Sequence, residues 1–318
     1  MTNSLPRLKR HDIFRDMAVN RFSYLIALPA LVYVIVFSYF SYPYIVIAFQ
    51  RYNYQNSTIW SLFTRGNWVG LDNFKFFFES QYAGSITFNT IYLNLLFILT
   101  GTVMSVLLAL LLNELRSKWF AKTSQSLMLF PNYISWIIVS YMVLSLFSNQ
   151  FGIVNRIIKS MGGQAKNWYV DANVWPAILV VVRIWKGAGM NAIIYLAAIA
   201  GIDNSLHEAG QIDGANRFQI ATRITLPLIT PTIVIMTLLA VGKIMFGDFG
   251  MIYAIIGDNG TLYRTTDIID TYVFRALRQV GDPSQAMAIS LFQSAIGFAM
   301  VFGSNALVRK IYPDGALY

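Results

Sequence analysis

Four ionisable residues stand where water should be scarce. Arg183, Lys186, Lys243 and Asp248 lie inside long apolar runs of the chain. A charge near the centre of a bilayer costs at least ~2.5–3.5 kcal/mol on insertion scales, so such groups face a protein interior, find partners or line a path. Arg183 and Lys186 are three residues apart and share one helix face with Met190. Three cations stand against one anion, and Lys243 and Asp248, five apart, fit one helical pair poorly. Two readings stay open. One is internal pairing, including Arg183 serving backbone carbonyls at a break near Gly187 and Gly189. The other is a passage whose missing negative charge comes from an anionic solute. Gly187, Gly189 and Gly242 fit either close helix packing or local unwinding. Covalent chemistry has little to work with. There is no cysteine, and the two histidines, His11 and His207, are far apart. Glu208 and Asp213 have no nucleophile beside them. No catalytic or metal-binding residue is predicted.

The elements that hold these residues are helices. Hydrophobic residues make up 56% of the 318 and charged residues only 12%, against about 25% charged in soluble domains. That balance excludes a soluble enzyme, a disordered chain and a coiled coil. A spanning helix needs about 20 apolar residues. Six segments qualify, near 24–49, 86–112, 125–147, 174–200, 226–256 and 286–308. The fold class is all-α, a polytopic membrane protein of six transmembrane helices. Arg7, Lys9, Arg10, Arg15 and Arg21 crowd the N-terminal segment. By the positive-inside rule this places both termini in the cytoplasm. The organisation expected is a basic cytoplasmic segment at 1–23, a six-span domain at 24–308 and a cytoplasmic tail at 309–318. Exterior loops then fall near 50–85, 148–173 and 257–285. Trp60, Trp68, Trp168, Tyr169 and Trp175 are either a surface for a partner or interface anchors.

The loop between the fourth and fifth spans, 201–225, is the most informative stretch. Ser205 followed by Glu208 is a capping-box pattern, so a short helix is expected to start there. Gly214 is a plausible stop, and a second helical stretch leads to Pro227. An apolar aspect at Leu206, Ala209, Gly210 and Ile212 suits docking into a partner's groove. Glu208, Ala209, Asp213, Gly214, Ala215 and Pro227 resemble the EAA motif of bacterial ABC importer permeases, with Gly210 in place of the second alanine. The resemblance extends through Asn20–Arg21–Phe22 and Trp68–Val69–Gly70–Leu71–Asp72–Asn73–Phe74 to permeases of the maltose type. Within these it is nearest to the group handling oligosaccharides from alginate and pectin.

The resemblance implies a type I ABC importer permease fold. It implies an inner-membrane subunit of a binding-protein-dependent system, with the 201–225 loop coupling to a cytoplasmic ATPase. Partners implied are a second homologous permease, two copies of the ATPase that binds ATP and Mg, an extracytoplasmic solute-binding protein and membrane lipid. The chain has no Gly-x-x-x-x-Gly-Lys-Ser/Thr phosphate loop of its own, and no cofactor or nucleic acid is expected. In related permeases the spans flanking the coupling loop contribute to the substrate pathway, which makes Arg183, Lys186, Met190, Lys243, Phe246 and Asp248 its candidates here. An acidic oligosaccharide would balance the cations. Trp185, Tyr195, Phe246, Phe249 and Tyr253 are available to stack on sugar rings. A neutral oligosaccharide and a self-sufficient secondary transporter are the alternatives.

Overall fold

The computed structural model describes Asp16 and residues 19–53 and 58–311. The basic residues Arg7, Lys9, Arg10 and Arg15 and most of the tail expected at 309–318 lie outside the described residues. The chain forms two compact units, residues 1–73 and 74–318.

In the first unit, α1 (Arg21–Phe37) passes into a 3-10 stretch (Tyr39–Phe49), and together they make one apolar span, Arg21–Phe49. A two-residue antiparallel pair follows, β1 (Gln50–Arg51) with β2 (Asn67–Trp68), flanking α2 (Ile59–Arg65). Two amide side chains hold the turn. Gln50 Nε2 donates to the Leu62 carbonyl at 2.9 Å, and Asn73 Nδ2 donates to the carbonyls of Ala48 and Gln50 at 2.9 and 2.8 Å.

The second unit begins within α3 (Asp72–Phe78), and its first long helix is α4 (Ala83–Asn113). At 1.5 Å per residue α4 is about 45 Å long, ample for a ~30 Å hydrocarbon core. The third span is broken. α5 (Lys118–Tyr133) and α6 (Trp136–Phe147) meet at 95°. Pro131 sits in the last turn of α5, and Ser135 starts α6 afresh by accepting from the Ile138 N–H. A proline cannot donate into a helix ladder, and a serine cap satisfies the orphan amides of a new helix. At about 24 and 18 Å, neither piece alone crosses a bilayer core.

α7 (Ile153–Ser160) precedes α8 (Trp175–Ala200). α8 is continuous, so the break considered near Gly187 and Gly189 is absent. Gly189 serves packing instead, since a Cβ there would overlap the Met128 carbonyl oxygen of α5. α9 (Asn204–Ile212), α10 (Arg217–Ile220), a π turn (Ala221–Thr225) and α11 (Leu226–Val241) follow. The span expected at 226–256 ends at Val241. A turn over 242–248 separates it from α12 (Phe249–Ile256), which Asp248 caps by accepting from the Met251 N–H at 3.0 Å. α13 (Tyr263–Thr266), α14 (Ile269–Val280) and α15 (Pro283–Ile311) complete the unit. Among the described residues five helical stretches could cross a membrane, or six with the bent pair as one.

Three apolar clusters hold the unit together. Leu93, Phe97, Val139, Trp175, Leu179 and Met251 join α4, α6, α8 and α12. Val106, Ala109, Ala192, Tyr195 and Ile229 join α4, α8 and α11. Phe77, Ile244, Met245, Ile269 and Ile289 gather around the 242–248 turn. The loop aromatics at 168–175 belong to this interior rather than to a free surface. Trp175 is fully buried and donates to the Trp168 carbonyl at 2.8 Å, while Trp168 donates to Asn155 Oδ1 at 3.0 Å. Burial pushes the Tyr169 hydroxyl up to about 12. Trp60 and Trp68 stay exposed.

Candidate functional site

Between α4, α6, α8, α11 and the 242–248 turn lies a cavity of about 880 Å³. Arg183, Lys186, Met190, Lys243, Phe246 and Asp248 all line it. Of the aromatics considered for sugar stacking, Tyr195, Phe246 and Phe249 line it, and Trp185 and Tyr253 do not. Three amides that the sequence reading passed over, Asn94, Asn132 and Asn191, add polar groups to its wall.

The three cations stand in different circumstances. The Lys186 ammonium reaches the broken end of α5. It donates to the carbonyls of Asn132 and Ile134 at 2.7 Å each and to that of Pro131 at 3.3 Å, and lies 5.0 Å from the Trp136 ring centre. An ammonium has three protons, so these carbonyls saturate it. Arg183 pairs with Asp248 and lies 5.6 Å over the Phe97 ring. Lys243 is exposed to the cavity, and among the described residues no side chain or carbonyl accepts from its ammonium.

Lys243 is held by an unwound turn, and bare backbone inside a membrane needs internal partners. Side chains from three other helices supply them. Asn94 of α4 donates to the carbonyls of Ile244 and Phe246 at 2.8 and 3.2 Å. Gln293 of α15 donates to the Met245 carbonyl at 2.8 Å, and Asp270 of α14 accepts from the Gly247 N–H at 2.8 Å. Polar side chains in otherwise apolar spans were the available signal for this arrangement.

The 201–225 loop forms two short helices, as its pattern predicts, with one correction at the start. The cap is Asp203, whose carboxylate accepts from the Ser205 N–H at 2.9 Å, rather than Ser205. That hydrogen bond holds the Asp203 carboxyl below its ordinary value. An aspartate two residues earlier offers an oxygen at the cap with the required extended backbone. α9 stops where expected. Gly214 takes φ +79°, the Ala215 N–H bonds the Gly210 carbonyl at 2.9 Å, and the Gly214 N–H bonds that of Gln211 at 3.1 Å. This is a Schellman ending, which favours glycine at the left-handed position. Asn216 and Gln219 then form a reciprocal capping box at 2.8 and 2.9 Å. Gly210 is buried against the second stretch, where a Cβ would come within 2.7 Å of Ile224 Cδ1. Arg217 ties the loop to Glu114 at the end of α4, at 2.6 Å. Glu208, Ala209 and Asp213 remain exposed beside the apolar Leu206, Ile212 and Phe218. Pro227 stands in the first turn of α11, directly after the π turn.

A bundle of membrane-length helices, two of its paths broken around a charged cavity, with a capped double helix between spans, defines a polytopic membrane transport protein. The comparisons give the family. Residues 101–313 match the family described as "Binding-protein-dependent transport system inner membrane component". The polygalacturonan/rhamnogalacturonan transport system permease protein YteP of Bacillus subtilis (strain 168) is 33% identical over 307 residues, 96% of this chain and 94% of its own. A crystal structure of a bacterial ABC transporter involved in the import of the acidic polysaccharide alginate superposes with a TM-score of 0.82. The identity is 31%, over 94% of this chain and 99% of that one. A second structure of a bacterial alginate ABC transporter, in complex with alginate pentasaccharide-bound periplasmic protein, gives 0.81 and 31%, over 94% and 97%. The chain belongs to the binding-protein-dependent ABC permeases. It is a sugar-importer permease subunit with the type I fold, and not itself an enzyme.

Proposed function

We propose that this permease forms half of a translocation pathway for acidic oligosaccharides of the uronate type. The observation that carries the reading is the Lys243 ammonium, which faces the cavity with no partner among the described residues. A charge kept unpaired in such a place is costly, and cargo carboxylates would relieve that cost. A neutral sugar would leave it unmet. Similarity to an alginate transporter and to a polygalacturonan permease points to the same chemistry. Arg183 is the second group that would meet cargo, beside Met190, Phe246 and Asp248. Lys186 acts one step removed, by holding the α5–α6 wall.

The remaining assignments follow the family's architecture. Glu208, Ala209, Gly210, Asp213, Gly214, Ala215 and Pro227 would form the coupling surface for a cytoplasmic ATPase, which binds ATP and Mg. A second permease and a second ATPase copy would complete the membrane assembly, and an extracytoplasmic binding protein would deliver the sugar. Residues 1–23 and 309–318 would then lie in the cytoplasm, with 24–308 as the permease domain.

The test is ATP hydrolysis by the reconstituted complex with its binding protein. A trigalacturonate is compared with a neutral trisaccharide. Stimulation by the uronate is expected. Stimulation by the neutral sugar alone would discard the acidic cargo and keep the importer.

A further inference from the structure

The cavity's charges do not balance in the way their number suggests. Lys186 is saturated by three carbonyls, so two cations remain, Arg183 and Lys243. Arg183 is answered by Asp248, and among the described residues nothing answers Lys243. The Arg183–Asp248 pair is not sealed away. The side chains keep 40% and 21% of their surface accessible, and both line the cavity. A guanidinium can hold a carboxylate through two parallel N–H groups, yet only Nη1 engages Asp248 Oδ2. The other oxygen, Oδ1, is already committed to the Met251 N–H as the cap of α12.

We infer that Asp248 is a resident competitor for Arg183, standing where a cargo carboxylate binds and displaced by it during passage. The proposal rests on the acidic-cargo reading above. The exchange requires little rearrangement, because Asp248 released from Arg183 keeps its cap on α12. Asp248 also sits at the end of the 242–248 turn, where the carbonyls of Ile244, Met245 and Phe246 are held by Asn94 and Gln293 rather than by a helix ladder. Its consequence is kinetic. Lys243 receives one carboxylate of the cargo outright, and Arg183 receives another only against competition. A pathway must bind firmly enough to admit a solute and weakly enough to release it. Return of Asp248 to Arg183 supplies the release.

The test uses the complete reconstituted complex with its binding protein in proteoliposomes, measuring KM and kcat for trigalacturonate and for a neutral trisaccharide. Asp248→Asn keeps an oxygen for the cap and removes the charge. For trigalacturonate, KM is expected to fall by about tenfold, the order of one charge-assisted hydrogen bond, and kcat to fall with it because cargo is held too long. The neutral sugar should change little. Arg183→Gln, which breaks the pair from the other side, should raise the KM for trigalacturonate instead. Opposite shifts from the two variants support exchange. A structural pair would give the same loss in both variants on both sugars, and that result overturns the proposal, as does an Asp248→Asn protein with unchanged KM and kcat. If Asp248→Asn fails to co-purify with the ATPase, Asp248→Ser, which also keeps a capping oxygen and removes the charge, takes its place, a lowered KM for trigalacturonate supporting exchange and an unchanged one overturning it. A parent complex indifferent to trigalacturonate fails the cargo reading before any variant is made, so the two failures are separable.

Discussion

At the scale of single residues, three cations of similar appearance stand in three different settings. Lys243→Ala is expected to raise the KM for an acidic oligosaccharide at least tenfold while leaving assembly intact, because among the described residues no group bonds its ammonium. Uptake by proteoliposomes beside a pull-down of the ATPase measures both. Lys186→Met should do the reverse. It strips the partner from the carbonyls of Asn132 and Ile134, and a buried group left unsatisfied costs about 1–3 kcal/mol. A lower unfolding temperature of the purified complex is expected with either sugar or none. If Lys186→Met kept full thermal stability and lost only uronate transport, its assignment to the wall would be wrong. The sequence made these four charges visible because they interrupt apolar runs. It did not pair Arg183 with Asp248, since the two are 65 residues apart and meet only at the wall of the folded cavity.

At the scale of elements, the existence of the spans was legible and their interruptions were not. Hydropathy averages over about 20 residues, and the run at 125–147 stays apolar through its 95° bend. Pro131 and Ser135 were the local signals of a stop and a start. At 226–256 the same averaging hid the 242–248 turn, although Gly247 followed by Asp248 is a fair N-terminal cap. In the 201–225 loop the two helical stretches and the glycine stop at Gly214 were legible because their signals are local, whereas the capping box expected at Ser205 and Glu208 forms instead at Asn216 and Gln219. The α9 cap moved from Ser205 to Asp203 because backbone conformation, not residue type alone, selects the capping oxygen. Asp203 has a lowered pKa, so its hydrogen bond is fully present above the ordinary carboxylate value and is lost as pH falls through the lowered one. Asp203→Ala should therefore speed amide hydrogen exchange at Ser205 and Leu206 at neutral pH and remove its acid-dependent increase. Glu208→Lys leaves both caps in place and is expected to preserve insertion while separating ATP hydrolysis from uptake. Normal uptake by that variant would remove Glu208 from the proposed coupling surface.

At the scale of the whole molecule, the permease is one member of an assembly and its behaviour should depend on the others. The chain alone in proteoliposomes is expected to move no sugar. Uptake should appear with the second permease, the ATPase and the binding protein, and should require ATP. Transport by the isolated chain, abolished by an uncoupler and indifferent to ATP, would point to the secondary transporter.

The repair of each broken span by a residue far along the chain also bears on synthesis. Ribosomes make the chain from the N-terminus, and the α5–α6 bend emerges about fifty residues before Lys186, which closes its carbonyls. The 242–248 turn likewise waits for Gln293. During those intervals bare carbonyls cannot be released into lipid without penalty. The nascent bundle must therefore stay in a wet or shielded environment until its later helices arrive. A chain truncated before α8 should remain associated with the insertion machinery rather than leave it.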